Sequence, residues 1–423
     1  MLALLLTLVS ATRPGPVSAD DEPPVLDGVA LQRADAAGTP LYYDPDIEPA
    51  VLATTGSALA QALVDVPART GLPPFSTPIV VYLLSNDDRF RLALAEIGGV
   101  RVDLVSDAIG GYTIERNGTM LVFFGAPNVT SPPNATLAVT HELAHLGVRE
   151  ATQRRALPQW FNEGYASWIS TKALERWYPE QARLQRTLDQ LTVASALHTR
   201  GLVPWPELVT RTRFSQAGVE GLVSLAYAQS TLFVDWLAGR YSVAALGKFL
   251  TGIGDGLSAT QSFGAAFGPF GPESAAYEAS LRAGLREYPP GAYVIQVSTA
   301  DRPAILAVIG GTPADSAVVE VWQNGERVRR REIDLDGAGM LVAAIPTGPF
   351  DDGGAPRVRV RVPGLGTLEL DPATDIRAVA APPAAPPTSP TLPSSGQPAQ
   401  VPAPVQIPRQ SRLLPARPPG LIA

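Results

Sequence analysis

The stretch AVTHELAHLGV, residues 138–148, holds two of the three histidines in the chain, His141 and His145, four residues apart with Glu142 beside the first. On a helix that spacing sets both imidazoles on one face, where they can share one ion. Glu142, one position on, is angled away from direct ligation and suits the task of taking a proton from a water on that ion. A catalytic zinc takes three protein ligands and keeps one position open, and two histidines with a glutamate are a known set. Glu163, in WFNEGYASW, supplies the third after an interval of residues 146–162. Ser167, one helical turn after it, suits a hydrogen bond to the outer nitrogen of a ligand histidine.

These residues need two helices folded back on each other. The first is expected over about 132–147, opened by Ser131 and Pro132 or by Asn134. A loop from about Gly147 to Leu157 leads to the second, over about 158–177, which brings Glu163 against the imidazole pair. Upstream, TPLYYDP reads as a short strand, residues 47–68 as an amphipathic helix and STPIVVYLLSN as a buried strand. Asn117-Gly118 between two apolar runs signals a hairpin. Further helices are expected at 219–240, 243–253 and 273–287. A small sheet followed by helices is an α+β order.

The pair HELAH and WFNEGYASW resembles the gluzincin zinc metallopeptidases, in particular the peptidase MA-like group and the M1 aminopeptidase branch. The close match covers about residues 135–175, with a looser likeness over about 40–288. The resemblance implies His141, His145 and Glu163 as zinc ligands and Glu142 as general base. It implies a rail for an extended peptide along the edge strand near Gly110–Ile114 or Met120–Phe124. It also points to Tyr227, on a helix after the third ligand, as a donor to the oxyanion; apart from the resemblance, His198, a lone loop histidine, is the lesser candidate. A shorter gap between His145 and Glu163, and the lack of a GAMEN-like segment, set the chain apart from aminopeptidase specificity and closer to the compact group.

Composition narrows the remaining classes. With no cysteine among 423 residues, thiolate nucleophiles, iron–sulfur clusters and cysteine zinc sites are excluded. A net charge of −7 argues against a general nucleic-acid binder, which needs a clustered positive surface. Leu2–Val9 is an apolar run too short to span a bilayer, and Val17-Ser18-Ala19 suits signal-peptidase cleavage, so residues 1–19 read as a leader and the protein as exported. No later segment reads as a stable transmembrane span.

The fold class expected is therefore α+β: a gluzincin-like metallopeptidase domain over 25–289, then a small all-β, Ig-like sandwich over 291–372 and a proline-rich disordered tail over 373–423. The function expected is an exported zinc peptidase acting on a peptide or protein, with cell-surface contact through the β domain. Two alternatives stay open: a surface-binding or structural protein that uses the β domain and tail, and a zinc hydrolase acting on a non-peptide substrate.

Overall fold

The structure, a computed structural model, describes residues 23–70, 74–101, 110–214 and 222–285, together with 291–299, 302–310, 316–323, 325–334, 341–346, 357–363 and 366–370. The chain divides into compact units of residues 1–382 and 383–423, and every described residue belongs to the first. The leader over 1–19 and the tail over 373–423 lie outside the described residues.

Two short strands, β1 (Val25–Leu26) and β2 (Val29–Ala30), pair with each other ahead of a five-stranded sheet. That sheet is built from β3 (Gln32–Ala36), β4 (Thr39–Tyr43), β5 (Ile79–Leu84), β6 (Gly111–Arg116) and β7 (Thr119–Gly125), in the order β3-β4-β5-β7-β6. Helix α1 (Pro49–Thr70) crosses from β4 to β5, and α2 (Asp87–Glu96) follows β5. The crossovers make β4–β5 and β5–β7 parallel, while the flanking pairs are antiparallel.

All six residues of β5 are buried, because the sheet is covered on both faces. Alternation sorts them: Ile79, Val81 and Leu83 enter the main core with α1, while Val80, Tyr82 and Leu84 pack with Phe90 and Leu94 of α2. Each such burial contributes about 1.5–3 kcal/mol. The β6–β7 hairpin closes on Asn117 and Gly118, with φ of 52° and 77°, and Arg116 pairs with Thr119 across it. Two successive positive φ angles are what a two-residue type I′ turn requires.

Helix α1 is long and apolar enough to cross a membrane by length and composition alone. Here its Leu59, Ala62 and Val66 lie in the main core, and its buried Asp65 accepts hydrogen bonds from Arg176 (2.7 Å) and Trp177 (3.0 Å).

The helical half contains α3 (Pro132–Ala151), α4 (Gln159–Trp177), α5 (Pro179–Thr199), α6 (Val223–Arg240), α7 (Val243–Gly254), α8 (Ala259–Phe267) and α9 (Phe270–Gly284). Ser131 caps α3 by accepting from the Asn134 amide, with Pro132 in the first turn. The helix runs four residues past the expected end at 147. Gly147 reads as a stop signal in sequence, but here it is a buried small residue inside the helix. Trp160 of α4 sits at the centre of an aromatic cluster with Trp205 and Phe233, at ring distances of 5.3 and 5.2 Å.

The described strands between 291 and 370 form two antiparallel sheets. One has the order β11-β10-β13-β14, from β10 (Ser316–Gln323), β11 (Glu326–Asp334), β13 (Arg357–Val362) and β14 (Gly366–Leu370). The other has the order β12-β9-β8, from β8 (Gly291–Thr299), β9 (Arg302–Gly310) and β12 (Leu341–Pro346). In the first, Val358, Val360 and Val362 of β13 are buried in alternation with more exposed arginines, while residues 326–332 of β11 are exposed throughout. The chain is thus mixed α/β, with a helical half and small sheets.

Candidate metal centre

Helices α3 and α4 pack side by side and bring His141, His145 and Glu163 to one point. His141 Nε2 lies 3.1 Å from His145 Nε2, and Glu163 Oε2 lies 3.3 and 3.5 Å from the two nitrogens. Four tetrahedral ligands at zinc–ligand distances of about 2.0–2.1 Å stand about 3.3–3.4 Å apart, so the triangle fits that ion. Three electron-rich atoms this close repel unless a cation or a proton sits among them. The group is one that could hold a metal.

The outer nitrogens are also held. His145 Nδ1 is 3.2 Å from Asn162 Oδ1, an acceptor, so the ring proton belongs on Nδ1 and the Nε2 lone pair faces the cluster. His141 Nδ1 lies 3.4 Å from the Ser167 hydroxyl, as the spacing of NEGYAS anticipates. Gln159, one turn before Glu163 on α4, donates to its second oxygen at 2.6 Å. Burial alone would lower the His145 imidazole, but the Glu163 carboxylate wins and pushes it up to about 9. Burial would raise Glu163, yet the His145 and His141 rings hold it well below the usual carboxylate range. Without a metal the cluster therefore keeps a proton.

Glu142 points from α3 to the edge strand β6. The Thr113 hydroxyl donates to its Oε2 at 2.6 Å, and a β-carbon on Gly111 would stand 2.8 Å from its Oε1. Glycine at 111 lets the strand approach the carboxylate. Of the two expected rails only β6 is an edge strand; β7, with Met120–Phe124, lies inside the sheet between β5 and β6, which corrects the second.

Tyr227 of α6 also reaches the cluster. Its ring is 6.3 Å from that of His141 and is braced edge-on by Phe214 at 5.2 Å. Burial, then the hydrogen-bonded Glu163 carboxylate, push its hydroxyl well above the ordinary tyrosine range, so it stays a protonated donor. His198 falls in the last turn of α5 and does not line the cleft.

The cleft over the cluster has a volume of about 410 Å³ and is walled by β6 on one side and by α3 and the 152–158 loop on the other. In that loop Gln153 and Arg154 have φ of 50° and 64°. Left-handed backbone costs a non-glycine residue about 1–2 kcal/mol. The turn is secured by Arg154 N–H donating to the Arg149 carbonyl at 2.9 Å and by the Arg154–Glu115 ion pair at 2.7 Å.

Of these residues Asn162 and Gln159 are not expected from the sequence, although they lie one and four positions before Glu163 on the same helix. Gly111 and Thr113 lie within the expected rail Gly110–Ile114, but their contact with Glu142 spans a sheet-to-helix packing that no local pattern encodes.

No protein-family profile matches the chain, and no curated protein matches it. Among solved structures it is similar to the aminopeptidase N family protein of Idiomarina loihiensis, at 9% identity and a TM-score of 0.37, over 74% of this chain and 68% of that one. A likeness of that size carries no argument, and the reading of the site rests on its own geometry.

Proposed function

We propose that the chain is an exported zinc-dependent peptidase, with His141, His145 and Glu163 as the metal ligands, Glu142 as the general base and Tyr227 as the oxyanion donor. The observation that carries this reading is the donor triangle with a carboxylate held beside it by Thr113. When bound, zinc supplies a Lewis acid that acidifies a water and polarises a carbonyl.

The remaining work falls to the chain. Glu142, fixed by Thr113, takes the proton of the attacking water and passes it to the leaving amine. Tyr227, kept protonated by burial, donates to the oxygen that becomes negative. Gln159, Asn162 and Ser167 fix the ligand side chains, so the site does not reorganise during the reaction. The edge strand β6 lines the cleft, and its backbone groups not used by β7 suit an extended segment. That is what favours a peptide over other hydrolysable substrates.

The test is zinc content by mass spectrometry together with cleavage of a peptide library by the wild type and by Glu142→Gln. The expected result is one zinc per chain and cleavage that falls by at least about a hundredfold in the variant. Protein without zinc, or a variant that cleaves as well as the wild type, would sink the reading.

A further inference from the structure

The cleft carries more positive charge than its chemistry uses. Its walls include Arg149, Arg154, Arg155 and Arg211 against three carboxylates, Glu115, Glu142 and Glu163, in a chain whose net charge is −7. Each carboxylate is already engaged. Glu163 faces the two imidazoles, Glu142 accepts from Thr113, and Glu115 pairs with both Arg149 and Arg154 at 2.7 Å. Arg155 and Arg211 are exposed, and neither forms an ion pair among the described residues.

Arg211 is the better placed of the two. Its guanidinium lies over the Tyr112 ring of β6 at 5.0 Å, and its charge is felt at the Tyr227 hydroxyl. An aromatic face fixes the plane of a guanidinium while leaving its N–H edge open, the arrangement that takes a carboxylate through two parallel hydrogen bonds. Arg155 stands in the 152–158 loop and lines the same cleft, with its guanidinium beside Gly256.

We propose that the cleft selects a substrate carboxylate, with Arg211 as its anchor in the cleft wall and Arg155 as a second contact. This rests on the peptidase reading of the same site. The carboxylate belongs either to an acidic side chain near the scissile bond or to the free end of the peptide. Both present the same planar anion, and the experiment separates them.

The zinc-loaded full-length protein is given peptide pairs that differ only by Glu against Gln near the cleaved bond, and a second set with free or amidated C-termini. The expected result is a kcat/KM at least about tenfold higher for the anionic member of one set, expressed mainly in KM. Arg211→Gln and Arg155→Gln shrink that ratio, and Arg211→Glu turns the preference toward lysine-containing peptides, which a misfolded variant cannot do. In parallel, labelled acidic and amide peptides are bound to the Glu142→Gln protein and followed by fluorescence anisotropy. Peptide pairs cleaved within about twofold of each other, or a preference unmoved in Arg211→Glu, overturn the proposal. If nothing is cleaved but anisotropy shows an Arg211-dependent preference for the anion, the carboxylate site stands and the peptidase reading fails. Equal binding of acidic and amide peptides removes the carboxylate site whatever the catalysis.

Discussion

Gly164 of α4 lies so close to α6 that a β-carbon there would stand 2.5 Å from the backbone oxygen of Ser230. Gly164→Ala must push the two helices apart, since a backbone oxygen cannot swing aside. Overpacking of this kind costs about 1–3 kcal/mol. Glu163 is the adjacent residue and Tyr227 lies one turn before Ser230, so zinc affinity falls together with stability. Urea denaturation and competition with a chelator measure the two, and a variant as stable as the wild type would refute the close-packing account.

The proposed ligand set predicts its own dependence on metal. Glu163→Gln and His145→Ala each reduce zinc below stoichiometric content. Chelation of the wild type lowers its melting temperature, because zinc at a hundred times its Kd stabilises by about 2.7 kcal/mol. Calorimetry with and without chelator reads the shift, which should vanish in Glu163→Gln.

Proton competition follows from the His145 imidazole, pushed up to about 9 by the Glu163 carboxylate against the opposing effect of burial. Zinc must displace that proton, so zinc uptake releases about one proton below about pH 9, and apparent affinity rises about tenfold per pH unit in that window. In the metal-free chain the sign runs the other way. The stabilisation from His145 is fully present below its unfolded value and is lost as pH rises through about 9. Titration calorimetry in buffers of different ionisation enthalpy counts the protons, and a pH-independent affinity would contradict the geometry.

The Asp44–Arg89 pair holds the sheet end together. Asp44 accepts from the Ser85 amide at 2.9 Å and from Arg89, which also donates to the Leu26 carbonyl at 3.0 Å. Burial would raise Asp44, but Arg89 holds it below its ordinary value. Its stabilisation is therefore present above the unfolded pKa and lost as pH falls through the lower folded one. Asp44→Ala costs about 3 kcal/mol at neutral pH, from a partly buried cation left alone, and less in acid. Equilibrium unfolding at the two pH values distinguishes these.

Thr113→Val removes the hydroxyl that fixes Glu142 and leaves the ligands untouched. Steady-state kinetics should show kcat down by about tenfold with zinc content unchanged, the cost of one hydrogen bond to a charged group. A loss of zinc instead would place Thr113 in support of the metal.

What could be read in advance follows a physical boundary. Contacts within one helix or one turn were legible: His141 with His145, Ser167 one turn after Glu163, the Asn117-Gly118 hairpin, the Ser131 cap. Each depends on a fixed local period. The Thr113 contact with Glu142 and the approach of Arg211 to Tyr112 depend on how a strand and the helical turn at 211–214 lie against other elements, and no local period encodes that. Helices α2 and α5 were not anticipated either. Their apolar positions are diluted by arginine, glutamine and aspartate, and tertiary packing supplies what the pattern lacks. Glycine at 147 misled in the opposite sense, since its small size serves packing inside α3.

Strand β6 runs alongside helix α3. Alternate residues of a strand share one side. Gly111, Thr113 and Glu115 therefore all face α3, the first two meeting Glu142 and the third meeting Arg149. Loss or gain of a single residue in β6 would turn all three to the opposite side of the sheet together. Proton acceptor and charged rim would fail as one, so this wall of the cleft can vary in side chains but not in length.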